Sequence, residues 1–172
     1  MSTLGQASAA YAGDRGDPDP EVRELLRQAR DGRDAYLRAV AGLCTARLLA
    51  PIVAVGDDGG TGPDPGRHAA MHAVQLATPD GQKGMPVFTG LDALVAWRAD
   101  ARPVPCRLDE VSVTAAEQQV AAILVDLAGP DPLVLEAGLF TELARGRRLV
   151  ELPDGGWGWL FAADSSPGDA SG

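Results

Sequence analysis

Gly84-Met-Pro-Val-Phe-Thr-Gly-Leu-Asp-Ala-Leu-Val-Ala-Trp97, followed after four residues by Arg102-Pro-Val-Pro-Cys106, decides the fold. Residues 83–88 read as a strand. Thr89 is a good helix N-cap, and Asp92 at the third helical position makes a variant of the capping box. Ala93, Leu94 and Trp97 then share one helical face. Pro103-Val104-Pro105 starts a second strand. Each residue has a structural task, and none belongs to a catalytic signature.

Upstream, residues 46–55 (Ala-Arg-Leu-Leu-Ala-Pro-Ile-Val-Ala-Val) are nearly continuous in apolar character, the pattern of a strand covered on both faces. Pro51 removes a ladder donor, which predicts an edge strand or a bulge there. The glycine-rich segment Gly56 to Gly66 predicts a hairpin loop leading into a strand at about 68–78. Thr78-Pro79-Asp80-Gly81 is a tight-turn signature. The strands at 46–55, 68–78 and 83–88 are thus expected to form an antiparallel meander.

Earlier still, Asp19-Pro20 opens a helix, with aspartate as cap and proline at the first helical position. Val22, Leu25, Leu26, Ala29, Tyr36, Leu37 and Val40 recur at helical spacing, interrupted by Gly32. One long helix or two short ones would fit, docked on the domain or on a second subunit. Downstream, a helix running to about Gln119, capped by Asp109 or Ser112, precedes a strand at Val120 to Leu127. A turn at Gly129-Pro130-Asp131-Pro132, a strand at 133–135 and a helix near 138–145 ended by Gly146 follow.

The expectation is an α+β fold: a mixed sheet of five to six strands beginning with the meander, helices packed on it, and an N-terminal amphipathic helix. The segments are a mobile tail at 1–18, helical residues 19–42, a domain at 43–152, and a flexible aromatic and acidic tail at 153–172.

The chain has 172 residues, 45% of them hydrophobic, enough for one core without metal or disulfide support. Its formal net charge of −9 is concentrated at the two ends. That balance repels nucleic acid. No apolar run is long enough for a membrane span, and the N-terminus lacks the basic and apolar regions of a signal peptide. Cys44 and Cys106 sit in apolar contexts and read as buried reduced thiols. A cytoplasmic setting is expected. Arginine outnumbers lysine 14 to 1, as in a GC-rich bacterial genome such as that of an actinobacterium.

No cofactor or metal is expected. His68 and His72 would lie about 13 Å apart in a strand, too far to share one ion. Cys106 has no readable base to activate it. The loop 56–66 lacks the lysine and hydroxyl of a phosphate-binding loop. Two features are left as candidate interaction residues. Arg145, Arg147 and Arg148 cluster at a helix C-terminus, as a solvated helix end or as a docking patch for an acidic partner. Trp157 and Trp159 alternate in an extended segment, so both rings face one side. They dock on their own sheet or on a partner.

Pro86-Val87-Phe88-Thr89, Leu94 with Trp97, Pro103-Val104-Pro105, and Ile123-Leu124-Val125-Asp126 with Gly129-Pro130 agree in order and spacing with one known family. Over roughly 43–152 the chain resembles the N-terminal domain of the SseB family, named for enhanced serine sensitivity. The resemblance implies a cytoplasmic α/β module, with the helix at 20–41 as an addition and without the second domain of longer members. The lack of any catalytic constellation, the amphipathic helix and the aromatic tail lead to the expectation of a non-enzymatic protein that binds a protein partner or a second copy of itself. The family's name suggests, as an alternative, a domain that senses a small molecule such as an amino acid.

Overall fold

The computed structural model describes residues 11–54 and 71–161, and these form an α+β fold. Helix α1 (Pro20–Gln28) begins where Asp19 accepts hydrogen bonds from the amides of Glu21 and Val22. A 3-10 turn (Ala29–Asp31) and Gly32, at φ 139°, separate it from α2 (Arg33–Leu43). Two helices therefore stand where the periodicity allowed one or two. They dock on the domain itself. Val22, Leu26, Leu37, Val40 and Leu43 are buried in one cluster with Leu48, Met85, Val87, Ile123, Val125 and Leu135 from the strands.

Strand β1 (Leu48–Ala54) pairs antiparallel with β2 (Met71–Ala73) on one side and with β5 (Arg102–Cys106) on the other. This corrects the expectation for Pro51, because β1 is the central strand of its sheet. The register explains why proline is tolerated. Pro51 faces Pro103 and Leu49 faces Pro105, so every proline falls at positions whose amides point away from the β1–β5 ladder. Leu49, in the same phase, exchanges two backbone hydrogen bonds (2.7 and 2.9 Å) with Phe88. Pro51 lies between that bridge and the β2 pairing, where no ladder bond is lost.

The second sheet runs in the order β3 (Leu76–Ala77), β4 (Lys83–Val87), β6 (Ala122–Val125) and β7 (Leu133–Glu136). Its central pair, β4 and β6, is parallel and the other pairs are antiparallel. The second strand of the expected meander is thus split: its first part pairs with β1 and its last part with β4. The single expected sheet is two sheets joined by the Leu49–Phe88 bridge, plus a separate hairpin.

Helix α3 (Leu91–Trp97) starts at Gly90, and no side chain caps it. The cap expected of Thr89 is therefore corrected: that hydroxyl is engaged elsewhere, as described below. Helix α4 (Leu108–Glu117) is preceded by Arg107, whose amide donates to Glu110 Oε2 at 2.8 Å. Ser112, buried within it, donates to the carbonyl of Leu108. Neither Asp109 nor Ser112 is the cap residue. Helix α5 (Ala137–Ala144) packs against α4. A smaller core of Leu49, Phe88, Ala93, Leu94 and Ala101 fills the space under α3, with the Phe88 and Trp97 rings 5.4 Å apart.

Candidate functional site

After α5, Gly146 at φ 78° turns the chain into β8 (Arg148–Glu151), which pairs antiparallel with β9 (Trp157–Leu160). The hairpin turn is closed by Leu152 donating to Gly156 at 2.8 Å, with Asp154 accepting from the Gly156 amide. Part of the segment read as a flexible tail is therefore a strand. Alternation along the strands sorts the side chains. Leu149, opposite Trp159, is buried, and Trp157 and Trp159 lean on the main core. Trp157 Nε1 donates to Asp34 Oδ1 at 3.4 Å, and Arg38 reaches Glu151 at 2.9 Å. The rings do share one side, as read from the sequence, and that side faces α2.

The opposite side of the hairpin carries Arg148 and Val150 on β8, Leu152 just after it at the turn, and Gly158 and Leu160 on β9. Leu152 lies over Gly158: a Cβ on that glycine would meet the Leu152 side chain at 3.2 Å. Leu160 and Phe161 are 60% and 63% exposed, the two largest exposures among the large apolar residues described. At this open end of the hairpin the Arg147 guanidinium sits 5.7 Å from the Phe161 ring centroid. Glu142 is the one carboxylate that meets both Arg145, at 2.8 Å, and Arg147. No described carboxylate pairs with Arg148. Arg145 and Arg147 meet on Glu142, and the exposed apolar residues next to the arginines are Leu160, opposite Arg148, and Phe161, beside Arg147, rather than the tryptophans. Leu160 lies on the opposite parity to the tryptophans, and Phe161 follows the end of β9 on theirs.

A second cluster, unforeseen from the sequence, lies where β4 and β6 end. Asp126, 3% exposed and at φ 48°, accepts from the Thr89 amide (2.8 Å) and hydroxyl (2.6 Å). Arg23 of α1 donates to the Thr89 hydroxyl at 2.6 Å, approaches Asp126 at 3.4 Å and pairs with Asp92 at 2.7 Å. Gly90 has no room for a side chain, because a Cβ would meet Asp92 Oδ1 at 2.5 Å and Pro18 at 2.8 Å. Arg47 adds bonds to the Thr89 and Asp17 carbonyls and an ion pair to Asp14, and the Leu91 amide donates to Gly16. Residues 14–18, expected within a mobile tail, are thereby seated on the domain. Every buried polar side-chain atom described has a partner, so the cluster is closed and fastens α1 and the N-terminal strap to the sheet.

Cys106 is buried, its thiol donating to the Leu48 carbonyl, and burial pushes its pKa up to about 12. Such a thiol is not a nucleophile near neutral pH. Burial also raises Cys44. Among the described residues no group of three or more His, Cys, Asp or Glu could hold a metal ion. His68 and the segment 56–66 lie outside the described residues, and His72 falls in β2. No helix described is long and apolar enough to cross a membrane. A surface groove of about 480 Å³ between α2 and β7 is lined by Arg33, Tyr36, Leu37, Val134, Glu136 and Leu139, with the Tyr36 hydroxyl donating to the Val134 carbonyl.

Compared with known proteins, residues 22–139 match the family model described as SseB protein N-terminal domain. No curated protein and no solved structure matches the chain. The match begins inside α1, so most of α1 and all of α2, expected as an addition, lie within the span of the family model. It ends within α5, before the hairpin.

Proposed function

From the premise that the chain belongs to the SseB N-terminal domain family, we propose that it is a non-enzymatic cytoplasmic interaction module. The observation that carries this reading is the hairpin: one face seals the domain core, and the other presents Leu152 and Leu160 to solvent around a half-buried Val150, with arginines at its open end. A two-stranded sheet is marginal unless a face is covered. Here the inner face is covered and an apolar outer face remains for a protein partner or a second copy. The buried thiol of Cys106 supports a role without chemistry. Two unpaired thiols suit a reducing compartment, and the arginine bias supports an actinobacterial member.

Sedimentation and affinity capture from the native host, with the wild-type chain and a Leu152→Ser/Leu160→Ser variant, test the reading. The expected result is self-association or a specific partner that the variant loses while keeping its fold. A monomer at high concentration whose captured proteins are the same for both forms would overturn it.

A second reading, a small-molecule sensor, is favoured by the groove, where Arg33 and Glu136 offer opposite charges beside Leu37 and Leu139. Those charges suit a zwitterion such as an amino acid. A ligand at a hundred times its Kd would add about 2.7 kcal/mol of stability, so a thermal-shift series with free amino acids decides it. No shift with any of them removes this reading.

A further inference from the structure

We propose that the outer face of the β8–β9 hairpin takes an acidic protein segment bearing apolar side chains, an inference that deepens the interaction reading and rests on it. The face is apolar from exposed Leu152 at the turn, through half-buried Val150, to exposed Leu160 at the open end. Its open end is basic. Arg145 and Arg147 share the single carboxylate of Glu142, Arg148 pairs with no described carboxylate, and Leu160 stands directly opposite Arg148 in the register. A surplus of positive charge is thus concentrated beside exposed Leu160 and Phe161 on a chain whose formal charge is −9.

That local inversion of sign favours an acidic occupant. An acidic segment meets Arg148 on this face, with Arg145 and Arg147 beside the open end, while its apolar side chains cover Leu152 and Leu160. Arginine suits such a contact, because its planar fork binds a carboxylate through two hydrogen bonds.

The full chain is titrated with two short labelled amphipathic peptides that share one leucine spacing, one carrying glutamate at the remaining positions and the other lysine. Anisotropy is read at about 0.05 M and about 0.5 M salt, which shortens the screening length severalfold. The glutamate peptide is expected to bind at least about tenfold more tightly than the lysine peptide and to weaken with salt. Arg148→Glu, at an exposed position, is expected to reverse the preference, and Leu160→Ser to weaken both peptides, with circular dichroism confirming that each variant is folded. Equal binding of both peptides, or binding indifferent to Arg148→Glu, overturns the acidic preference and leaves an interaction face standing. Self-association abolished by Leu160→Ser, without peptide binding, assigns the face to a second copy and overturns the inference. A monomer at every concentration that binds neither peptide overturns the inference and the interaction reading together.

Discussion

Asp126 occupies the left-handed region at φ 48°, a conformation that aspartate tolerates better than most residues, and is buried while accepting two hydrogen bonds from Thr89. Asp126→Ala leaves the Thr89 amide without its acceptor and removes a carboxylate from beside Arg23. It is expected to cost about 2–4 kcal/mol in denaturant unfolding. Asp126→Asn keeps an acceptor and should lose less. If Asp126→Ala is neutral, the cluster is not a fastener. Cys106 makes a second, independent prediction. Its thiol stays protonated in the folded state until about pH 12, whereas in the unfolded chain it ionises near 9. The folded protein therefore holds the extra proton between those values. The corresponding stability is complete below about pH 9 and is lost as pH rises toward 12. Cys106→Ala should flatten that alkaline fall in a series of melting curves, and native Cys106 should resist an aromatic disulfide reagent at pH 8 until the chain unfolds.

At the scale of elements, α1 and α2 belong to the domain. Leu26 of α1 is 2% exposed in the main core, so Leu26→Ala is expected to lower stability by about 2–5 kcal/mol, measured by chemical denaturation. A loss below about 0.5 kcal/mol would mean the helix rides on the surface. The Asp19-Pro20 start of this helix was legible in the sequence because a cap depends on neighbours two or three residues away. The caps and turns that read correctly are of that local kind. Thr89 misled for the opposite reason. It has the right residue type at the right place for a cap, but its hydroxyl is claimed by Asp126, 37 residues on, and by Arg23, 66 residues back. Pro51 misled similarly, since its tolerance at a central position depends on the phase of a ladder with β5 that no local pattern specifies. The arginine cluster was legible as a run. The apolar face beside it was not, because residues 148–152 and 158–160 join only once the hairpin register is known.

The two helices, the main sheet and the inner face of the hairpin share one hydrophobic cluster, and the Leu49–Phe88 bridge ties the other sheet to it. Shared burial of this kind makes unfolding all-or-none. Calorimetry and far-UV circular dichroism should therefore report one coincident transition, with no earlier melting of the helical residues 20–43. Two resolved transitions would show that the helical segment is a separate unit. The placement of the three tryptophans also equips the molecule with its own optical reporters. Trp157 and Trp159 line the back of the hairpin whose front is open, whereas Trp97 stacks with Phe88 in the other core. A partner settling on the front would shift the emission of the first two without touching either ring, while Trp97 serves as an internal reference that stays constant. Binding at this face can thus be followed in unlabelled protein, with Trp97→Phe removing the background and the Trp157 and Trp159 signal carrying the titration.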